Sequence, residues 1–377
     1  MDKEYSVWQR KDGRYEGRIM INGHQVSRYG KTEAKVIKKL KKLEENQKTG
    51  LVIEKKIRVD DALEKYLTNH KKGFVKPSTY DRLECTFSNQ IKNSEIGKMQ
   101  ISLVKSDDIS KFLSNLADTL SYSSVKKVYT LLGEAFRYLA NTDMISKDPM
   151  LQARMPHKDV FKKQPKDMQV LSKDEIKSVF AVAESVDETG HPVYRYGEVI
   201  VLLLLTGLRS GEVRAIMVDD IDFDKQVLHV RRNVCHYIER TNGHTVNELS
   251  STKTIGSVRD VPLNDRAMLA IKRLMDTTYC KANGLLIATG TGKILSNSYF
   301  EKCYDYILKR AGVEHMGLHS TRHTFATEAM PVAIQEGRVK DLSEILGHED
   351  VSTTFKFYVK GNSTAKKNLI DKLAIGS

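Results

Sequence analysis

Residues 199–213 read VIVLLLLTGLRSGEV. The opening run of seven apolar residues is far short of the roughly 20 that span a bilayer. It therefore predicts a helix buried on every side. Gly207 follows after Thr206 and permits a sharp turn, which presents Arg209 at the edge of a cleft. A helix buried all round needs a substantial core about it, and the rest of the chain supplies one.

Toward the C-terminus the pattern stays helical to about residue 358, apart from a strand-rich interruption at 226–263. Within that interruption STKTIGSVRDVPL, residues 251–263, reads as a turn followed by a strand, with Lys253 at its start. Toward the N-terminus LSKDE, residues 171–175, starts a helix with Ser172 and Glu175 as a capping box. Residues 151–168, LQARMPHKDVFKKQPKDM, are polar, basic and aperiodic, and read as a linker. Before it lies an all-helical stretch, with helices near 59–70, 77–92, 107–118 and 122–141, the second capped by Ser78 or Thr79. The last of these puts Val125, Val128, Leu132, Phe136 and Leu139 on one face and leaves Lys126 and Lys127 off it. Residues 1–30 alternate between apolar and polar around Asp12-Gly13 and Asn22-Gly23. These turn dipeptides predict three antiparallel strands. A helix with Ala34, Ile37, Leu40 and Leu43 at three-residue steps follows, from Lys31 to about Gln47.

The expected fold is thus multidomain α+β. A small three-stranded sheet plus helix (1–56) precedes a helical bundle (57–152) and a linker (153–170). A mainly α domain with a small antiparallel β-sheet (171–360) and a short tail helix (361–377) complete it. At 377 residues the chain is too long for one ordinary core.

A net charge of +13 points to a polyanionic partner, most often nucleic acid. Residues 1–56 hold fifteen Lys or Arg against eight Asp or Glu, so about half of the excess lies in the first seventh of the chain. There Arg10, Arg14, Arg18 and Arg28 stand among Trp8, Tyr15 and Tyr29. A sheet carrying arginines and aromatics can enter a DNA groove. In the helical stretch the DNA-facing candidates are Lys76, Thr79, Tyr80, Lys126 and Lys127. Cys85, Cys235, Cys280 and Cys303 are scattered without a CxxC pair. That argues against a zinc ribbon or a disulfide framework and fits a reducing cytoplasm. The polar, charged N-terminus is no signal peptide.

The remaining question is chemistry. LHSTRHTFAT, residues 318–327, packs His319, Arg322 and His323 into five positions. The i, i+4 histidines match the ligand spacing of a zinc protease, but that motif needs Glu after the first His, and position 320 is Ser. An anion clamp is the better reading: Arg209 and Arg322 are planar forks suited to the oxygens of one phosphate. Lys253 can stabilise charge there or donate a proton to a departing alkoxide. LGHEDVSTTFKFY, residues 346–358, adds His348 and then Tyr358, the one phenol of that stretch and a nucleophile once deprotonated.

In chain order these are Arg in TGLRSGE, Lys in TKTIGSVRDVPL, HSTRH, LGH and Tyr358. The series resembles the tyrosine recombinases, the phage and conjugative-transposon integrase family. The resemblance implies that Arg209, Arg322 and His348 bind the scissile phosphate and that Lys253 is the acid on the leaving oxygen. It implies further that His319 assists proton transfer, Tyr358 attacks, and Glu212 supports the site. His323 would pack or orient. It also implies an enzyme without metal or cofactor that acts on core and arm DNA sites as a homo-tetramer. An excisionase and host DNA-bending proteins would be its accessory partners, a bacterial nucleoid its setting, and the tail would dock in trans. Tyr358 stands ten positions after His348, where many members have nine. The competing readings are a type IB topoisomerase, which shares the tyrosine chemistry, and a non-catalytic DNA-binding accessory protein.

Overall fold

The computed structural model describes residues 5–21, 24–48, 57–164, 168–239, 243–251, 258–276 and 284–355. The chain divides into two compact units, Met1–Pro165 and Lys166–Ser377. The architecture is mixed, mainly helical with small antiparallel sheets. No helix among the described residues is long and apolar enough to cross a membrane.

In the first unit, β1 (Val7–Gln9), β2 (Tyr15–Ile21) and β3 (His24–Gly30) form an antiparallel sheet in that order, and α1 (Glu33–Lys48) covers one face. Gly17 lies where the helix meets the sheet, and a Cβ there would come within 2.7 Å of Leu40 and 2.8 Å of Val36. Next come α2 (Val59–His70), α3 (Pro77–Thr86), α4 (Glu95–Lys98), α5 (Ser106–Ala117) and α6 (Tyr122–Asn141). Their apolar faces close one core, with Leu63, Ile109, Val125, Leu131 and Phe136 fully buried. The helix expected over 77–92 begins with Pro77 at its first position, where its missing N–H is not needed. Neither Ser78 nor Thr79 caps it. Its last turn widens to a π-turn over Phe87–Ile91, where the Lys92 N–H reaches back to the Phe87 carbonyl.

Residues 153–164, expected as the front of a linker, pack on this bundle instead. Ala153 and Phe161 belong to its core, and Phe161 meets Tyr122 edge to face. Two well-placed side chains suffice for that docking, and no periodicity announces them.

The second unit is built around α8 (Gly197–Thr206), the apolar run, in which every residue but Leu205 is buried. Truncating one of its leucines, Leu202 or Leu203, leaves a cavity costing about 2–5 kcal/mol. Around it lie α7 (Lys173–Ala183), α9 (Ser210–Val213), α10 (Asp265–Met275), α11 (Asn297–Arg310), α12 (His319–Gln335) and α13 (Val339–Leu346). The capping box of α7 is present, with the Ser172 N–H on Glu175 at 2.7 Å and the Glu175 N–H on Ser172 at 3.3 Å. Leu171 joins this core, and its N–H donates to the Thr324 hydroxyl of α12 at 2.9 Å. The strand-rich interruption resolves into two sheets. β4 (Ile221–Asp222), β5 (Val227–Val230) and β8 (Arg259–Pro262) form one, and β6 (Arg232–Glu239) with β7 (His244–Ser251) forms a separate ladder.

α8 ends at Gly207, whose φ of +64° is left-handed. A Cβ there would lie 2.4 Å from the Phe325 ring and 3.0 Å from Leu346. Gly207→Ala therefore meets a left-handed penalty of about 1–2 kcal/mol and an overpacking cost of about 1–3 kcal/mol. Denaturant unfolding of the variant is expected to show the sum, and a loss below the left-handed penalty alone would contradict this packing.

Candidate active site

The turn at Gly207 delivers Arg209 to the start of α9. Glu212 sits three residues on, inside the first turn of that helix. Its carboxylate accepts the Arg209 backbone N–H at 2.9 Å and the Arg209 Nη1 at 2.7 Å. A carboxylate in this position also favours the positive end of the helix. From the other side the guanidinium of Arg259 forks onto both Glu212 oxygens, at 3.0 and 2.9 Å. Burial alone would push the Glu212 carboxyl up, but the hydrogen bonds and charges of Arg259 and Arg209 outweigh it and hold the group at about 2.

α12 supplies the second half. His319, Arg322 and His323 share one face because they are spaced i, i+3 and i+4. Arg322 is only 1% exposed. Its Nη1 donates to the Gly207 carbonyl at 2.8 Å and its Nη2 to the Leu346 carbonyl. That Nη2 also donates to His348 Nε2 at 2.8 Å. An imidazole nitrogen that accepts from a guanidinium carries no proton, so the proton of His348 sits on Nδ1 and is donated to the buried Thr354 hydroxyl at 2.9 Å. Burial, with the charges of Arg322 and Arg209, lowers His348 to about 4. His323 is lowered to about 4 by burial and then by His319 and Arg322. His319 is lowered by burial and by the two arginines. The rings of His319 and His323 meet edge to face at 4.5 Å. A ring-nitrogen NMR titration of the DNA-free protein is thus expected to find His348 neutral down to about pH 4. A midpoint near the ordinary 6.5 would contradict the bond to Arg322.

The end of α13 ties these parts together. The Ile345 carbonyl accepts from Arg259 Nε at 2.6 Å. The Leu346 carbonyl accepts from Arg322. The Gly347 carbonyl accepts from Arg209 Nη2 at 3.0 Å. Arg322 thus bonds two carbonyls and an imidazole, and no carboxylate among the described residues. A charge so buried normally has a counter-charge. Burial and the nearby Arg209 lower Arg322 to about 9, a strain that an anion between the two arginines would relieve.

Of the expected site residues, the structure brings Arg209, Glu212, His319, Arg322 and His348 into one cluster. Lys253 and Tyr358 lie outside the described residues. Arg259 had no role in the sequence reading. The signal was the strand period, which puts it on the same pleat face as buried Val261. Arg214 was missed too. It is 3% exposed, donates to the Ser210 and Leu295 carbonyls at 2.9 and 2.7 Å, and pins α9. Among the described residues no group of three or more His, Cys, Asp or Glu is placed to hold a metal ion.

Residues 169–364 match the family model described as phage integrase family. The chain belongs to the phage integrase family. It is thereby one of the DNA strand-transferring tyrosine recombinases. Residues 59–117 match the SAM-like N-terminal domain of phage integrases. Over 369 residues the chain is 27% identical to a protein named tyrosine recombinase XerC-like, from Caldanaerobacter subterraneus. The match covers 92% of this chain and 90% of that one. It is 24% identical over 289 residues to the transposase of transposon Tn916 from Enterococcus faecalis, covering 71% and 66%. Among solved structures the Tn1549 transposon integrase, in complex with a circular intermediate DNA, superposes with a TM-score of 0.68 at 21% identity. That match covers 84% of this chain and all of that one. A lambda integrase tetramer bound to a Holliday junction gives 0.58 at 16% identity, covering 94% and 95%. At these identities the structural likeness is one of fold.

The integrase's N-terminal sheet sorts its own candidates. Trp8 pairs with Glu16, and Glu16 with Tyr29. Arg18 lies over Trp8 at 4.7 Å and Arg10 over Tyr29 at 5.3 Å. Glu16, 4% exposed, holds Arg10 at 2.8 Å and Arg18 at 2.9 Å. Trp8, Arg10, Arg18 and Tyr29 therefore share one face. The two-residue period turns Tyr15 and Arg28 to the face that α1 covers. Arg14 sits in the β1–β2 turn, bonded to Asp12. In the helical bundle Lys76, Lys126 and Lys127 are exposed, whereas Thr79 is half-buried and Tyr80 packs against the core.

Proposed function

We propose that this chain is a site-specific recombinase of a mobile DNA element, cutting and rejoining DNA through a 3′-phosphotyrosyl intermediate. The observation that carries the reading is the pair Arg209 and Arg322, converging on consecutive carbonyls of one helix end with a deficit of negative charge between them. A phosphodiester supplies that charge. The two guanidinia take its non-bridging oxygens and stabilise the charge that grows on them as the fifth bond forms. The Tyr358 oxygen attacks phosphorus while His319, kept neutral, accepts the phenolic proton. The bond to the 5′ oxygen breaks, and Lys253 gives that oxygen a proton. His348 accepts from Arg322 and so aims that guanidinium at the phosphate, and Glu212 keeps Arg209 in place. The phosphotyrosyl bond conserves the energy of the phosphodiester, so attack by a 5′ hydroxyl of the partner strand reseals the DNA without a nucleotide. The cationic donors do the work a metal would otherwise do.

The face bearing Trp8, Arg10, Arg18 and Tyr29 suits an arm site, and Lys76, Lys126 and Lys127 suit the core site. Two DNA-binding parts on one chain raise the effective concentration of the second site once the first is held. Assembly as a homo-tetramer, steering by an excisionase or a DNA-bending protein, and docking of residues 361–377 on a neighbouring protomer complete the proposal.

The test is an exchange reaction between two plasmids, one carrying the joined ends of the element and one its target, with a metal chelator and without nucleotide. Recombinant plasmids are expected. Relaxation without exchange would replace the reading with a topoisomerase, and binding without strand chemistry with an accessory protein.

A further inference from the structure

We propose that Arg259 is a positioning residue of the reaction, the part that sets where Arg209 meets the phosphate. The inference rests on the recombinase reading above. Three consecutive carbonyls at the end of α13 each hold one arginine: Ile345 takes Arg259, Leu346 takes Arg322 and Gly347 takes Arg209. Such carbonyls have no partner within their own helix, so they are open to side chains from elsewhere. Arg209 and Arg322 are the phosphate-binding pair. Arg259 is set deeper than Arg209, with its side chain 6% exposed against 36%.

Its three described bonds define what it does. Nε fixes Ile345, two residues before Gly347. Nη1 and Nη2 fix the two oxygens of Glu212. The chain crosses so close that a Cβ on Gly347 would lie 3.0 Å from Arg259 Nη1. Those are the two anchors of the Arg209 side chain, whose Nη1 rests on Glu212 and whose Nη2 rests on Gly347. One planar fork from β8 therefore registers α9 against α13, and with them the direction in which Arg209 points. Lysine offers a point charge and cannot make all three bonds. Through these bonds Arg259 acts on Arg209.

The test compares two suicide duplexes carrying an end of the element, one with an ordinary scissile phosphate and one with a methylphosphonate. The second removes the negative charge that Arg209 exists to meet. Arg259→Met in the full chain is expected to slow adduct formation on the phosphate about 100-fold, the cost of a misplacement near 1 Å. DNA affinity should stay within about threefold, because most of it comes from contacts elsewhere on the backbone. On the methylphosphonate the loss is expected to shrink at least about tenfold, as it should for Arg209→Ala, because two changes acting through one contact do not add. Arg259→Lys keeps the charge that Glu212 needs, and should show the same pattern in weaker form if the Met variant does not fold. Equal losses on both duplexes would mean general destabilisation, and no loss would mean no role; either overturns the inference. If the wild type itself forms no adduct on the phosphate duplex, the recombinase reading falls and this inference with it.

Discussion

Arg209→Ala is expected to slow strand cleavage by about 10³-fold, the upper range for losing one preorganised donor to a developing oxyanion, and to leave the fold nearly intact. Arg209 lies at the surface of the cluster, with its side chain 36% exposed. Its removal frees the Gly347 carbonyl, which water can reach, and leaves Glu212 with both bonds to Arg259. Arg322→Ala should behave differently. That side chain is buried, and its loss strands the carbonyls of Gly207 and Leu346 as well as His348. Each buried acceptor left unpaired costs about 1–3 kcal/mol, so cleavage and stability should fall together. Rate of adduct formation and midpoint of denaturation, measured on both variants, separate the two cases. A stable, cleavage-competent Arg322→Ala would contradict the buried anion clamp.

Glu212→Gln is expected to cost about 3–5 kcal/mol of stability. Breaking a buried ion pair leaves its partners charged and uncompensated. Arg259 would keep one acceptor, the amide oxygen, face an NH2 that cannot accept in place of the other, and lose the negative charge it answers. The same carboxylate makes stability depend on pH. Its folded value of about 2 lies below the usual 4.5, so its contribution is fully present above pH 4.5. That contribution is lost as pH falls from 4.5 through 2. The shift corresponds to about 3 kcal/mol. His323 and His348, lowered to about 4, also destabilise the folded chain as pH falls below 6.5, since the unfolded state takes up their protons first. They act in both proteins, so the difference between wild type and Glu212→Gln isolates the carboxylate. Urea denaturation at stepped pH is expected to show the wild-type advantage shrinking below pH 4.5. An advantage that stayed constant to pH 3 would show that Glu212 is not the paired, ionised group described here.

Much of this was legible in the sequence because local signals and the packed structure agree. Val125, Val128, Leu132, Phe136 and Leu139 foretold a helix over 122–141, and α6 has those limits. Ser172 and Glu175 foretold the start of α7, and the apolar run foretold the buried α8. Arg209, Glu212, Arg322 and His348 were legible as a set only through their order along the chain, since no spacing tells that three separate segments meet. What escaped was decided by contacts with no period. Ala153 and Phe161 dock a stretch that reads as linker. Tyr15 and Arg28 count as basic-sheet residues until the register turns them to the helix side. Arg259 and Arg214 look like surface charges until the fold buries them against Glu212 and the Leu295 carbonyl.

Tyr358 is expected to become covalently joined to DNA. The direct measurement is to trap the wild-type chain on a nicked duplex carrying the element's end, digest it with protease, and sequence the DNA-linked peptide by mass spectrometry. The expected result is a single peptide containing Tyr358, with the 3′ phosphate on its phenolic oxygen. A linkage to another residue, or to the 5′ phosphate, would contradict the account.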